Sequence, residues 1–321
     1  MIKYGAVIFL IAATACNNSA NKKNDPQDNN LTAVTDTSYQ WVKVLDSAGW
    51  AKSYNFQMFT VNDTMWTFHH DGNWFSANGK DWTKSTLPNA INNLAFLKYI
   101  YFHNAMYGLG HFEGNIEMYT FTPTVYQSIN LKQWVTLAAK SNLPPRYFYY
   151  PFVFDNKIWI IGGEHQGIKY ADIWNSTDGV NWIKQKDDLP FEKGGGKQVV
   201  ELNNKLFLLG NDVWSSTDAL NWHLETPEIL KGEKVFGYAP VVFDNKIWLL
   251  GCNRNGRFSS QVLVSTDGKN WQGETAPWSP RGGIAATVFK GKIYMTGGKY
   301  GGTSDLPDFR YSNDVWALEK K

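Results

Sequence analysis

Residues 175–182 read NSTDGVNW, and close variants of this phrase recur along the chain. Each copy places a serine six residues before a tryptophan, with a polar turn between them. Repetition of one phrase at intervals of tens of residues indicates a repeat architecture. The other four copies are SSTDALNW ending at Trp222, VSTDGKNW at Trp271, FSANGKDW at Trp82 and QSINLKQW at Trp134.

A second recurring phrase lies upstream of these turns and predicts a β-hairpin. Residues 151–163 read PFVFDNKIWIIGG, which is an apolar run, an Asp-Asn pair and a second apolar run that ends in glycine. A pair of turn residues between two such runs is typical of a two-residue hairpin. In NSTDGVNW, the Asp-Gly pair tolerates positive φ and the hydroxyls bond local backbone, which predicts another hairpin turn. One repeat is therefore predicted to hold four short antiparallel strands, the size of a propeller blade.

The number of blades follows from the number of tryptophans at equivalent positions in the repeats. They are Trp41, Trp82, Trp134, Trp182, Trp222 and Trp271. After Trp271 the chain has room for three more strands, and the segment that begins at Trp41 supplies the fourth. The sequence thus predicts an all-β, six-bladed β-propeller over residues 39–321, in which an N-terminal strand completes the last blade and leaves no unpaired edge.

Glycine pairs and a following tryptophan carry a resemblance to a known family. Gly162 and Gly163 precede Trp174, residues 297–298 with Trp316 repeat the pattern, and residues 210–214 repeat it in weaker form. This arrangement resembles kelch repeats, as found in galactose oxidase and in N-acetylneuraminate epimerase, although two blades lack the glycine pair. The resemblance implies the propeller fold strongly and the function hardly at all, because such rings carry both enzymes and binding platforms.

The N-terminus has the features of an export signal. A positive start, the apolar run of residues 5–13 and small residues before Cys16 resemble a bacterial lipoprotein signal over residues 1–15, although Ala13 stands where leucine is usual. The resemblance implies a lipidated Cys16, a polar tether over residues 16–38 and a place at the outer membrane. The alternative is a secretory signal cut near Ala15. Only one other cysteine, Cys252, exists, so no internal disulfide is expected in the mature domain.

Charge and composition exclude some partners. The net charge of +2 is spread without basic runs, so nucleic acid is not an expected partner. Aromatic residues make up 16% of the chain, which strand-rich repeats or a sugar-binding surface would explain.

Candidate site residues are expected on one side of the ring. In a four-stranded blade, the loops between the second and third strands and those between blades open on the same side. Arginines offer forked donors to an anionic group and aromatic faces stack on sugar rings. The predicted ligand-binding residues are Arg146, Tyr147, Arg254, Arg257, Arg281, Tyr300, His69 and His111. Arginine after proline, as at residues 145–146 and 280–281, is also common in kelch repeats as a structural pairing.

Three functions remain open from the sequence. The favoured one is a binding module for glycans, acting as a monomer at the bacterial envelope. An enzyme that epimerises or mutarotates an acidic sugar would use Glu164 and His165 as acid and base. A scaffold for an envelope protein would show no small ligand and an exposed apolar patch. No cofactor is predicted, and no metal site either, because the loop histidines lack a tight ligand spacing.

Overall fold

The structure is a computed structural model that describes residues 38–85, 91, 94, 96–114 and 119–321. The predicted signal, Cys16 and nearly all of the tether lie outside the described residues. Every regular element within them is a β-strand. None of the described segments forms a helix with the length and hydropathy needed to cross a bilayer.

The described strands form six four-stranded antiparallel sheets, each of which is a blade. In chain order, β1 (Tyr39–Leu45) precedes blade 1, which contains β2 (Gln57–Val61), β3 (Thr64–His69), β4 (Gly72–Ser76) and β5 (Thr83–Lys84). Blade 2 contains β6 (Lys98–Phe102), β7 (Ala105–Glu113), β8 (Thr120–Ser128) and β9 (Val135–Ala138). Blade 3 starts with β10 (Tyr150–Phe154) and β11 (Lys157–Ile161), passes through a hairpin of β12 (Glu164–His165) and β13 (Ile168–Lys169), and ends with β14 (Ile173–Ser176) and β15 (Ile183–Lys186).

The second half of the ring repeats this plan. Blade 4 contains β16 (Gln198–Leu202), β17 (Lys205–Leu209), β18 (Val213–Ser216) and β19 (His223–Thr226). The short β20 (Val235–Phe236) leads to blade 5, which contains β21 (Ala239–Phe243), β22 (Lys246–Leu250), the inserted β23 (Cys252–Arg254) and β24 (Arg257–Ser259), and then β25 (Gln261–Ser265) and β26 (Gln272–Thr275). Blade 6 contains β27 (Ala285–Phe289), β28 (Lys292–Thr296), the hairpin β29 (Lys299–Tyr300) and β30 (Arg310–Tyr311), and β31 (Val315–Lys320).

The N-terminal strand closes the ring, as the sequence predicts. β1 pairs antiparallel with β31, from Tyr39 opposite Lys320 to Leu45 opposite Val315, and supplies the outer strand of blade 6. The first strands of neighbouring blades contact one another around the axis. Between blades 1 and 2, the Gln57 side chain bonds the backbone of Tyr99. The six described blades therefore form a closed ring.

The repeated Ser-to-Trp phrase forms the turn between the third and fourth strands. In blade 3, Ser176 Oγ accepts the backbone N–H of Gly179 at 2.9 Å, and Asp178 Oδ1 accepts the N–H groups of Val180 and Asn181 at 2.8 Å. Partial burial acts to raise the pKa of Asp178, but these donors lower it to about 2. Trp182 then donates its indole N–H to the carbonyl of Gly179 at 2.9 Å. The motif is structural because it satisfies its own backbone.

Hydrophobic cores lie between neighbouring blades. Phe152 and Trp159 of blade 3, for example, pack with Leu206 and Leu208 of blade 4. Apolar area of this kind is the main stabilising contribution, at about 25 cal/mol per Å² buried. Successive side chains of an inner strand face opposite neighbours, so Trp159 and Ile161 of β11 pack towards blade 4 and Ile158 and Ile160 pack towards blade 2.

The two ends of the blades form different faces. We call the face with the two kinds of hairpin turn the turn face, and the opposite face the loop face. The loop face carries the inserted hairpins of blades 3, 5 and 6 and the extended end of the β7–β8 ladder of blade 2. On blade 1, His70 and Asp71 alone connect β3 to β4, and on blade 4 residues 210–212 connect β17 to β18. Blades 1 and 4, which lie across the ring from each other, therefore carry no inserted hairpin on this face.

Candidate ligand-binding site

Arg146 lies in a buried ion pair rather than in an open loop. Its side chain is 1% exposed, and its guanidinium donates to the two carboxylate oxygens of Asp172 at 2.6 and 3.0 Å and to the carbonyl of Gly162 at 2.8 Å. Asp172 also accepts the indole N–H of Trp174 at 2.8 Å. A guanidinium with these partners holds the loop to the blade, so the expectation that Arg146 contacts a ligand is corrected.

Arg281 has the same arrangement in blade 6. It is 2% exposed and bonds both oxygens of Asp314, at 2.5 and 3.1 Å, and the carbonyl of Gly297. Asp314 accepts the indole N–H of Trp316. Both arginines that follow a proline therefore form structural ion pairs. The expectation that Arg281 contacts a ligand is corrected, because its guanidinium is buried against Asp314.

The two predicted ligand-binding histidines are also buried. His69 is 3% exposed, and its Nδ1 lies 2.8 Å from Asp71. Burial lowers the pKa of His69 to about 4, so its ring is neutral at pH 7. His111 is 2% exposed, and its Nε2 lies 3.1 Å from Glu113. Both side chains are almost completely buried, which corrects the expectation that they contact a ligand.

Three further candidates lie on the hairpins of blades 5 and 6. Arg254 is paired with Glu233 through two bonds of 2.6 and 2.7 Å, because β20 and β23 bring them together. Arg257 is exposed, and the described residues provide no ion-pair partner for it. Tyr300 is half-buried on β29. These residues do not join the other candidates in one cluster.

Tyr147, Glu164 and His165, in contrast, belong to one site. Tyr147 and Glu164 exchange two backbone hydrogen bonds, of 2.9 and 3.0 Å, so the loop before blade 3 is tied to the hairpin that starts at β12. This pairing confirms that the two kinds of loop share a face. Burial, and then the charge of Glu164, raise the pKa of Tyr147. The Nδ1 of His165 is buried without a hydrogen-bond partner among the described residues.

Aromatic rings from blades 2 and 3 surround this point. We define the blade 2–3 cluster as Phe96, Phe112, Tyr119, Tyr147, Phe148 and His165. Phe96 lies 5.3 Å from Tyr147 and 5.4 Å from Phe148, measured between ring centroids. Phe112 lies 5.5 Å from Tyr147 and 5.7 Å from His165. Phe112 is buried and the others are half-buried, so the cluster presents aromatic surface to solvent.

The backbone at this cluster is strained. Phe96 and Phe148 have φ values of 60° and 58°, in the left-handed region that bulky residues rarely adopt. Phe148 lies against Gly195 so closely that a Cβ there would be 2.3 Å from the Phe148 Cβ. Strained backbone of this kind clusters at ligand sites, because the surrounding structure has to hold it in place.

Sequence reasoning missed four of the six cluster residues, which are Phe96, Phe112, Tyr119 and Phe148. Phe96, Phe112 and Phe148 come from three separate segments, and nothing in their local pattern distinguishes them from core aromatics. The available signal is weak: Phe148 lies in the aromatic run of residues 147–150, and Phe96 lies in a connection between blades. Only the register of the blades brings them together.

Comparison with known proteins supports the fold. No protein-family model matches the chain, and no curated protein matches it in sequence. Among solved structures, one described as "Structure of YjhT" superposes with a TM-score of 0.68 at 12% identity, covering 86% of this chain and 97% of that one. The fold is a kelch-like β-propeller. At this identity the likeness is one of fold, and function has to be argued from the site.

Proposed function

We propose that the protein is a carbohydrate-binding propeller whose ligand docks on the loop face at the blade 2–3 cluster. The observation that carries the proposal is the set of half-buried aromatic rings next to Glu164 and His165. Aromatic faces cover the C–H faces of sugars, and adjacent polar groups set their orientation. The strain at Phe96 and Phe148 supports a binding role over a purely structural one.

A ligand screen with a matched pair of variants tests this function. Because a ligand that binds only the native state must stabilise it, one class of saccharide should raise the melting temperature of the protein saturably. In Tyr147→Ala the two backbone bonds to Glu164 remain, but the ring is lost, so we expect affinity to fall by about tenfold or more. Titration calorimetry measures this change.

Phe236→Ala is the control for that experiment. Phe236 is 40% exposed on blade 5, away from the cluster, so its removal should leave affinity unchanged. A flat melting temperature across neutral, acidic and amino sugars would contradict the proposed function. So would equal losses of affinity in the two variants.

A second function, an enzyme on sugars, is favoured by Glu164 and His165 themselves. Both are half-buried beside Tyr147, so a carboxylate and an imidazole, the two groups that general acid–base catalysis most often uses, lie next to the aromatic cluster. Proton transfer by a positioned side chain contributes about 10²- to 10⁴-fold to a rate. Glu164→Gln should then keep sugar affinity within about twofold and lose about 100-fold in the rate of anomer or epimer exchange, measured by NMR. If wild-type protein did not accelerate the exchange, the enzymatic function would be contradicted and only the binding function would remain.

A further inference from the structure

Lys299 on β29 is a cation without an anionic partner. Its ammonium lies 3.7 Å from the ring centroid of Phe309 and 5.5 Å from that of Tyr54. Among the described residues, no carboxylate lies within ion-pair distance of this ammonium. Burial lowers the pKa of Lys299, and no neighbouring charge offsets that effect. Of the other candidate cations of this face, Arg146, Arg281 and Arg254 are each paired with a carboxylate, whereas Arg257 is exposed, without an ion pair among the described residues and without an adjacent aromatic frame there.

The frame around Lys299 is held by backbone and aromatic contacts. Lys299 exchanges two backbone bonds with Gly282, of 2.8 and 3.0 Å. Tyr54 stacks on Tyr311, with ring centroids 5.3 Å apart and 22° between the planes. This rigidity places the ammonium and the Phe309 ring together before any ligand arrives, which reduces the entropy cost of binding.

Phe309 adds an open aromatic surface to this frame. It is 50% exposed, and its ring lies so close to Gly302 that a Cβ there would be 2.5 Å from it. Gly302 has a φ of +72°, so the loop accepts the ring only because this residue has no side chain. An exposed, positioned ring next to an ammonium suits a sugar ring that carries a negative group.

This second aromatic group lies one blade away from the blade 2–3 cluster, on the same face. Phe96 belongs to the connection from β5 to β6, and Tyr54 to the connection from β1 to β2. Only blade 1 separates the two connections, and its loop-face turn consists of His70 and Asp71 alone. Blade 1 therefore carries no inserted hairpin between the two aromatic groups, along the path that a chain of linked sugars would take.

The geometry points to Lys299, Phe309 and Tyr54 as a second subsite that takes an oxyanion-bearing sugar of an extended oligosaccharide. The inference rests on the proposed function, since the blade 2–3 cluster holds the other end of the same chain. Lys299 would donate hydrogen bonds to a carboxylate or a sulfate while the adjacent sugar ring covers Phe309.

Oligosaccharides of matched length test the subsite. Calorimetric titrations would compare galacturonic acid oligomers, sulfated oligomers of a neutral sugar, and neutral glucose oligomers, from one to eight sugars. The first two series distinguish carboxylate from sulfate as the source of the oxyanion. We expect affinity for at least one charged series to rise with length and to exceed that for the neutral series by about tenfold or more, as one charge-assisted hydrogen bond provides.

Variants of Lys299 separate this inference from the proposed function. Lys299→Met should remove the preference for charged oligomers, Lys299→Arg should keep it, and the half-exposed Phe309→Ala should reduce it without unfolding the protein. Lys132→Met is the matched control, because Lys132 lies 4.8 Å from the Phe75 ring on the turn face. Binding that depends on Tyr147 but is unchanged in Lys299→Met and Phe309→Ala would overturn the second subsite alone. Absence of binding by every oligomer would overturn both proposals.

Discussion

Replacement of Arg281 is expected to reduce the stability of the protein. In Arg281→Met, the carboxylate of Asp314 would remain buried without its guanidinium, at a cost of about 3 kcal/mol in the free energy of unfolding. Urea denaturation measures this difference. Arg257→Met is the control, because Arg257 is exposed and its loss should change stability by less than about 0.5 kcal/mol.

The same pair predicts a dependence on pH. Burial acts to raise the pKa of Asp314, but the bonds from Arg281 and Ser312 lower it below 3.8 overall. A carboxyl group whose pKa is lowered by folding contributes stability above its unfolded pKa and loses it as the pH falls through the folded one. Wild-type protein should therefore lose stability below about pH 4, and Arg281→Met should lose less over that range. Parallel acid titrations of the two proteins would contradict this account.

At the scale of the elements, sequence patterns predicted the blades and not the insertions. The Asp-Asn and Ser-to-Trp phrases are local turns, so their hydrogen bonds are determined by residues a few positions apart. The hairpins β12–β13 and β29–β30 consist of two-residue strands, too short for any periodicity. They carry Glu164, His165 and Lys299, which is why the site was predicted less completely than the fold.

The remaining differences between the predicted and the observed site arise from the ion-pair partners of the arginines. The loop-face residues were placed on the correct side of the ring, but sequence alone did not show that Asp172 and Asp314 would engage Arg146 and Arg281. Those partners immediately precede β14 and β31, 26 and 33 residues after their arginines. Each stands two residues before a repeated tryptophan, Trp174 or Trp316, but its distance from the arginine along the chain depends on the length of the insertion between them.

At the scale of the whole molecule, the N-terminal strand enters on the side away from the candidate site. The Tyr39 hydroxyl donates to Asp244, in the turn between β21 and β22 on the turn face, and Lys320 pairs with the same carboxylate. If Cys16 carries a lipid, as the sequence predicts, the tether joins the propeller at the turn face. Wild-type protein should then partition with membranes and Cys16→Ala should not, and labelling with a fatty-acid analogue checks this. Equal labelling of both proteins would contradict it.

The central claim is that a carbohydrate binds on the loop face, at the blade 2–3 cluster. Hydrogen exchange, read by mass spectrometry with and without the saturating sugar, tests it most directly because it locates binding on the chain. The account predicts slower exchange in peptides that cover residues 96–114, 145–149 and 162–168, and unchanged exchange in the turns that end at Trp182, Trp222 and Trp271. Protection on the turn face, with none at the cluster, would contradict it.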